Sequence, residues 1–182
     1  IFAAELNFNK HQDLLINMVN TIKDRIPCMK LLLAGDGPLS KQYKNQVSTL
    51  GLKSNVHFLG QRNDIPELLK LSDIAVSSSR REGLPVNVLE AMATGLPLVV
   101  TNCRGNNDLV NNGENGFIVG IEDIDGFVHA VDRLYQSEEL RKNFSKKNIE
   151  VIKKYSLDNI VKEVGNIYNT YLLNNDKRKS IS

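Results

Sequence analysis

The chain has 182 residues, 41% hydrophobic and 24% charged, with 23 Lys and Arg against 21 Asp and Glu for a net charge of +2. That length suits one domain, that composition excludes wholesale disorder, and that balance excludes a broadly basic nucleic-acid surface. Cys28 and Cys103 make no disulfide framework and fit a reducing compartment, no apolar run reaches a membrane span, and the opening Ile1-Phe2-Ala3-Ala4-Glu5 has no basic leader. The opening reads as the middle of a strand, so a piece of a longer chain is expected. Residues 10–26 then carry a helical stripe of Leu14, Leu15, Met18, Val19, Ile22 and Ile26, ended by Pro27. Met29 to Ala34 reads as a buried strand closed by Gly35-Asp36-Gly37-Pro38, and Ser40 can cap a helix that Gly51 stops. Val56-His57-Phe58-Leu59 is a strand ending at Gly60. Ile65 to Leu71 is helical, Ile74 to Ser77 a strand, Pro85 to Thr94 a helix stopped by Gly95, and Leu98 to Thr101 a strand. A short helical turn over Asn107–Val110 and a strand over Gly116–Val119 follow. Helices fill about 124–135, 138–154 and 157–173, and a polar tail from Asn174 is expected to fray.

Strands alternating with helices predict a parallel sheet of about six strands, covered on both faces. Ligands of such sheets bind beyond the carboxyl ends of the strands. The chemistry is therefore expected in the segments 5–10, 35–40, 60–64, 78–90 and 102–108. The most informative is Ser77-Ser78-Ser79-Arg80-Arg81-Glu82-Gly83-Leu84-Pro85-Val86-Asn87-Val88-Leu89-Glu90-Ala91-Met92-Ala93-Thr94-Gly95-Leu96-Pro97. Glu82 falls in a post-strand loop, where Gly83 frees the backbone, and Glu90 falls in the helix that Pro85 opens. Two carboxylates converging on one crevice suit the vicinal hydroxyls of a sugar, and the helix start favours a phosphate nearby. Lys10, which follows the first strand, is a further candidate.

This string resembles the E-x7-E region of the family 4 glycosyltransferases of the GT-B fold. The turn Gly35–Pro38, the strand Val56–Gly60 and the segment from Asn102 through Asn112-Gly113-Glu114-Asn115-Gly116-Phe117 resemble further family landmarks, so the likeness covers nearly the whole chain. The resemblance implies a Rossmann-like domain over residues 1–173, the C-terminal, nucleotide-sugar-binding half of a retaining transferase of the bacterial capsule or exopolysaccharide type. An N-terminal acceptor domain would lie outside this chain. It implies that Glu90 holds the ribose hydroxyls, that Glu82 faces the donor sugar, and that backbone at Gly60, Gln61 and Arg62 holds the base. Gly83, Leu84 and Val86 would complete the donor site, and Lys10 would act with Glu82 at the reacting diphosphate. Where many family members carry an arginine, five positions before Lys10, this chain has Glu5, so Arg80, Arg81 and Arg104 become candidate compensating cations. His11, beside Lys10, is a further candidate polar contact.

The resemblance implies no cofactor and no metal, only a nucleotide-sugar substrate, expected to be UDP-linked. Asp123-Ile124-Asp125 imitates the metal motif of another glycosyltransferase fold but reads as a helix cap. The expected partners are the nucleotide sugar and a glycan or lipid-linked acceptor. The cytoplasm, at the inner face of the membrane, is the expected place. The basic run Arg141, Lys142, Lys146, Lys147, Lys153 and Lys154 is a solvated face or a membrane-attracted one. A non-catalytic sugar-nucleotide-binding module and a GT-B epimerase are the alternatives. A dehydrogenase-type domain is disfavoured because Gly35-Asp36-Gly37-Pro38-Leu39-Ser40 lacks the third glycine.

Overall fold

A computed structural model describes the backbone of residues 1–179 and the side chains of 1–168 and 170. Six parallel strands appear: β1 (Phe2–Ala3), β2 (Leu31–Ala34), β3 (Val56–Gly60), β4 (Ala75–Ser77), β5 (Leu98–Thr101) and β6 (Gly116–Val119). They pair as two three-stranded sheets, β1-β2-β3 and β4-β5-β6. The two meet at Ile1, whose amine donates to the Ile74 carbonyl at 2.9 Å and whose carbonyl accepts from the Val76 amide at 2.9 Å. The spatial order is therefore β3-β2-β1-β4-β5-β6, which reverses direction between β1 and β4 and opens a crevice there.

The helices are α1 (Gln12–Ile22), α2 (Ser40–Thr49), α3 (Ile65–Lys70), α4 (Val86–Ala93), α5 (Arg104–Leu109), α6 (Ile124–Gln136), α7 (Glu138–Ile152) and α8 (Leu157–Lys179). Strands β4 and β5 are buried on both faces. Along β5, Val99 packs with Phe2, Leu33 and the α1 and α6 side chains, while Leu98 and Val100 pack with Val88, Met92 and Leu109 on the other side. That burial explains why β5 reads as an unbroken apolar run.

Several boundaries differ from the sequence expectation. Helix α1 starts at Gln12, because Asn7 folds residues 7–11 into a turn: its Oδ1 accepts the Lys10 amide at 2.9 Å. Ser40 is the first residue of α2 rather than its cap; the cap position is Leu39. Helix α5 begins three residues before the expected turn. Gly105 stands inside it, where only a glycine fits: a Cβ there would lie 2.4 Å from the Gly83 carbonyl oxygen. The tail expected to fray from Asn174 continues α8 to Lys179, since no Pro or Gly follows Gly165; residues 180–182 lie outside the described residues. Asp123 caps α6 as expected, accepting the Gly126 amide at 2.8 Å. Arg141 is not a solvated cation. It donates to the Leu134 and Tyr135 carbonyls at the end of α6. Lys142 and Lys147 pair with Glu138 and Glu150.

Candidate functional site

The loop after β1 is held from two sides. Gly35 and Gly37 let the β2–α2 turn press against it: a Cβ at Gly35 would sit 2.1 Å from the Ala4 carbonyl oxygen, and one at Gly37 2.5 Å from that of Leu6. The Leu6 amide donates to Asp36 and the Leu39 amide to Leu6, closing the two turns together. Buried Tyr43 donates to the Asn7 carbonyl at 3.3 Å, and its own pKa is pushed up to about 12, chiefly by burial. From the other side, the Ser78 hydroxyl donates to the Lys10 carbonyl at 2.7 Å, the Arg80 amide to the Asn9 carbonyl at 2.8 Å, and the Asn9 side chain to the Arg81 carbonyl at 3.0 Å. The loops after β1 and β4 are thus sewn together at the crevice.

This sewing brings Lys10 and Glu82, 72 positions apart, into contact: Nζ lies 2.5 Å from Oε1. The Glu82 carbonyl also accepts the Gly105 amide at 3.2 Å, so the glycine pair Gly83 and Gly105 seats the Glu82 loop on α5. Leu84 and Val86 stand exposed beside it. Glu90 is exposed on α4, and among the described residues its carboxylate makes no hydrogen bond or ion pair. Glu5 and Gln61 share an open concavity of about 530 Å³ with Gly35, Asp36 and Gly37. The Glu5 carboxylate there accepts from Asn7 at 2.7 Å. The Gly37 amide, then the Ser40 hydroxyl, hold Asp36 below the ordinary carboxylate range, so this mouth is acidic.

Other candidates are committed elsewhere. Arg62 forms a two-pronged pair with Asp64 at 2.7 and 2.5 Å. Arg80 binds Glu122 and lies 4.6 Å over the Phe8 ring. His11 is turned inward, only 3% exposed, with Nε2 3.4 Å from Glu122 and 3.6 Å from Asp13. It is the one described non-glycine residue with positive φ, 53°. Arg81 and Arg104 are exposed and outside these contacts, and Gly60 takes φ 66° at the end of β3. Asn7, Asn9, Ser78 and Glu122 were not singled out by the sequence. The Asn-rich and Ser-rich runs at two strand ends were the available signal. Among the described residues no three His, Cys, Asp or Glu side chains group as metal ligands, and no helix is long and apolar enough to cross a membrane.

Comparison with known proteins bears on this geometry. The model of the family "Glycosyl transferases group 1" matches residues 1–151. A putative glycosyltransferase, EpsD, of Bacillus subtilis is 36% identical over all of this chain and 48% of its own length. The UDP-Gal:alpha-D-GlcNAc-diphosphoundecaprenol alpha-1,3-galactosyltransferase of Escherichia coli is 40% identical over 81% of this chain and 38% of its own. The chain thus spans about half the length, or less, of these relatives. Among solved structures, Anabaena Alr3699/HepE in complex with UDP superposes with a TM-score of 0.87 at 23% identity, over 93% of this chain and 48% of that one. The C-terminal domain of a group 1 glycosyl transferase, LpcC, from Francisella tularensis does so at 0.77 and 21%, over 86% of this chain and 85% of that one. The fold is the one expected from the sequence.

Proposed function

The chain belongs to the group 1 glycosyl transferases, and from that premise we propose that it is the donor-binding half of a retaining transferase that moves a hexose or N-acetylhexosamine from a UDP-sugar to a growing bacterial surface polysaccharide. The observation that carries this reading is the meeting of Lys10 and Glu82 at the reversal of the sheet. Lys10 takes the diphosphate, where a cation stabilises the charge that develops as the nucleotide departs. Glu82 accepts from hydroxyls of the donor sugar, and Glu90, without a partner among the described residues, accepts from those of the ribose. The concavity between Glu5, Gly37 and Gln61 has the volume of a small-molecule site and takes the base against backbone at Gly60, Gln61 and Arg62.

The Escherichia coli relative is named for a UDP-Gal donor and a diphosphoundecaprenol-linked acceptor, and the HepE structure contains UDP; both support a UDP donor. A lipid-linked acceptor at the cytoplasmic face of the membrane, held by an N-terminal domain outside this chain, completes the reading. Calorimetry over UDP-, GDP- and ADP-sugars in EDTA tests it. A UDP-sugar is expected to bind with no metal added, because a lysine meets the phosphate charge. Binding confined to GDP- or ADP-sugars would overturn the base, and binding lost in EDTA but restored by Mg²⁺ or Mn²⁺ would overturn the metal-free site.

A further inference from the structure

Lys10 and Glu82 are each other's partner, at 2.5 Å, with side chains only 21% and 10% exposed. Charges so sheltered depend on one another, and taking one away leaves the other poorly compensated. The backbone on both sides is fixed, Lys10 through Asn7 and Ser78, Glu82 through Gly105. Neither residue can move far when a ligand arrives.

Resting on the reading of Lys10 as the diphosphate cation, we propose that this pair makes the site discriminate between an intact sugar donor and the bare nucleoside diphosphate left after transfer. Any diphosphate draws the Lys10 ammonium and loosens its bond to Glu82. A bare diphosphate offers Glu82 only acceptor oxygens and a terminal phosphate carrying more negative charge than the sugar ester does. Glu82 then loses its partner and gains a like charge. An intact donor brings hydroxyls beside the same phosphate, and a hydroxyl donates to the carboxylate that Lys10 has given up. Phosphate and sugar together satisfy both halves of the opened pair; phosphate alone satisfies one. The pair therefore favours loading of donor and release of spent nucleotide.

The test is calorimetry on the 182-residue chain with UDP, UDP-glucose, UDP-galactose and UDP-N-acetylglucosamine. The native chain should bind at least one UDP-sugar more tightly than UDP. Glu82→Gln keeps the shape and removes the charge. It should bind UDP about 3–10-fold more tightly and that UDP-sugar more weakly, so that the preference collapses. In Lys10→Met the Glu82→Gln gain should shrink, because the part that comes from freeing the lysine is gone and only the repulsion between Glu82 and the phosphate remains. If Lys10→Met weakens UDP while Glu82→Gln leaves it unchanged or weaker, the discrimination is overturned and the phosphate role of Lys10 stands. If Lys10→Met leaves UDP affinity unaltered, the phosphate role itself fails, and the discrimination with it. A native chain preferring UDP to every sugar donor overturns the proposal without any variant.

Discussion

Glu82 and Glu90 are the same residue type eight positions apart, yet their surroundings give them different work. Glu82 is nearly enclosed and held by Lys10, whereas Glu90 is exposed and free of bonds among the described residues. A free carboxylate accepting from ribose hydroxyls contributes about 1.5–3 kcal/mol, so Glu90→Ala should weaken UDP by about 10–150-fold in calorimetry. Glu82→Ala, which takes a like charge away from the diphosphate, should not weaken UDP; a Glu90→Ala protein that binds UDP like the native chain would take Glu90 out of the site. His11 supplies a second prediction. Burial pushes its pKa below 6.5; Asp13 and Glu122 oppose that, and Arg80 adds to it. The folded chain therefore takes up the proton less readily than the unfolded one. This contribution is complete above 6.5 and is lost as pH falls through 6.5 toward the folded value. His11→Asn, which tolerates the left-handed backbone, should flatten the acid limb of urea stability measured between about pH 5 and 7.5; an unchanged slope would assign that limb to another group. Lys10 and Glu82 were legible because both fall in segments after strands and both match positions of the family that the sequence resembles. The inward turn of His11 was not, because it depends on a backbone angle and on Glu122, 111 positions away, and neither leaves a local trace.

At the level of elements, the stops were the most legible part. Gly51 and Gly95 take φ of 67° and 75° and end α2 and α4 through paired bonds: Gly51 to Ser48 and Leu52 to Val47, Gly95 to Met92 and Leu96 to Ala91. Docking of α7 was not legible, because it rests on two asparagines that read as surface. Asn148, fully buried, donates to the Leu96 carbonyl at 2.7 Å and to that of Asn115 at 2.9 Å, and accepts from the Asn115 side chain at 2.9 Å. Asn115 in turn donates to the Leu109 carbonyl at 3.1 Å. This network ties α7 to the stop of α4, the end of α5 and the start of β6, beneath the helix that carries Glu90. Asn148→Ala strands buried polar groups and should cost about 1–3 kcal/mol, read as a lower urea midpoint with an unchanged m-value. An unchanged midpoint would mean that water replaces the side chain at no cost. Patterning marks where apolar faces lie, but a buried amide network joins residues far apart in sequence and is visible only once they meet.

Considered whole, the molecule places its principal candidate groups after the carboxyl ends of parallel strands. Lys10 follows β1, Gln61 follows β3, Glu82 follows β4, and Glu90 stands on α4; on the two-domain reading proposed above they make one wall of a cleft. Transfer needs donor and acceptor held in reacting geometry, a positioning that can supply about 7–11 kcal/mol of the barrier. A single wall can grip the donor but cannot orient an acceptor against it or keep water away. Along α8, Ile160, Val164 and Ile167 are 41, 44 and 69% exposed, an apolar row without a complete partner among the described residues; the side chain of Tyr171, further along the same row, lies outside them. The purified 182-residue chain should therefore fold cooperatively and bind a UDP-sugar, yet transfer no sugar. Incubation with labelled UDP-sugars and a lipid-linked or free glycan acceptor checks this. Label should stay with the nucleotide, while a protein of the relatives' length that carries an N-terminal domain moves it to the acceptor. Acceptor-dependent turnover by the 182-residue chain alone would show that one wall suffices and would overturn the two-domain reading of the site.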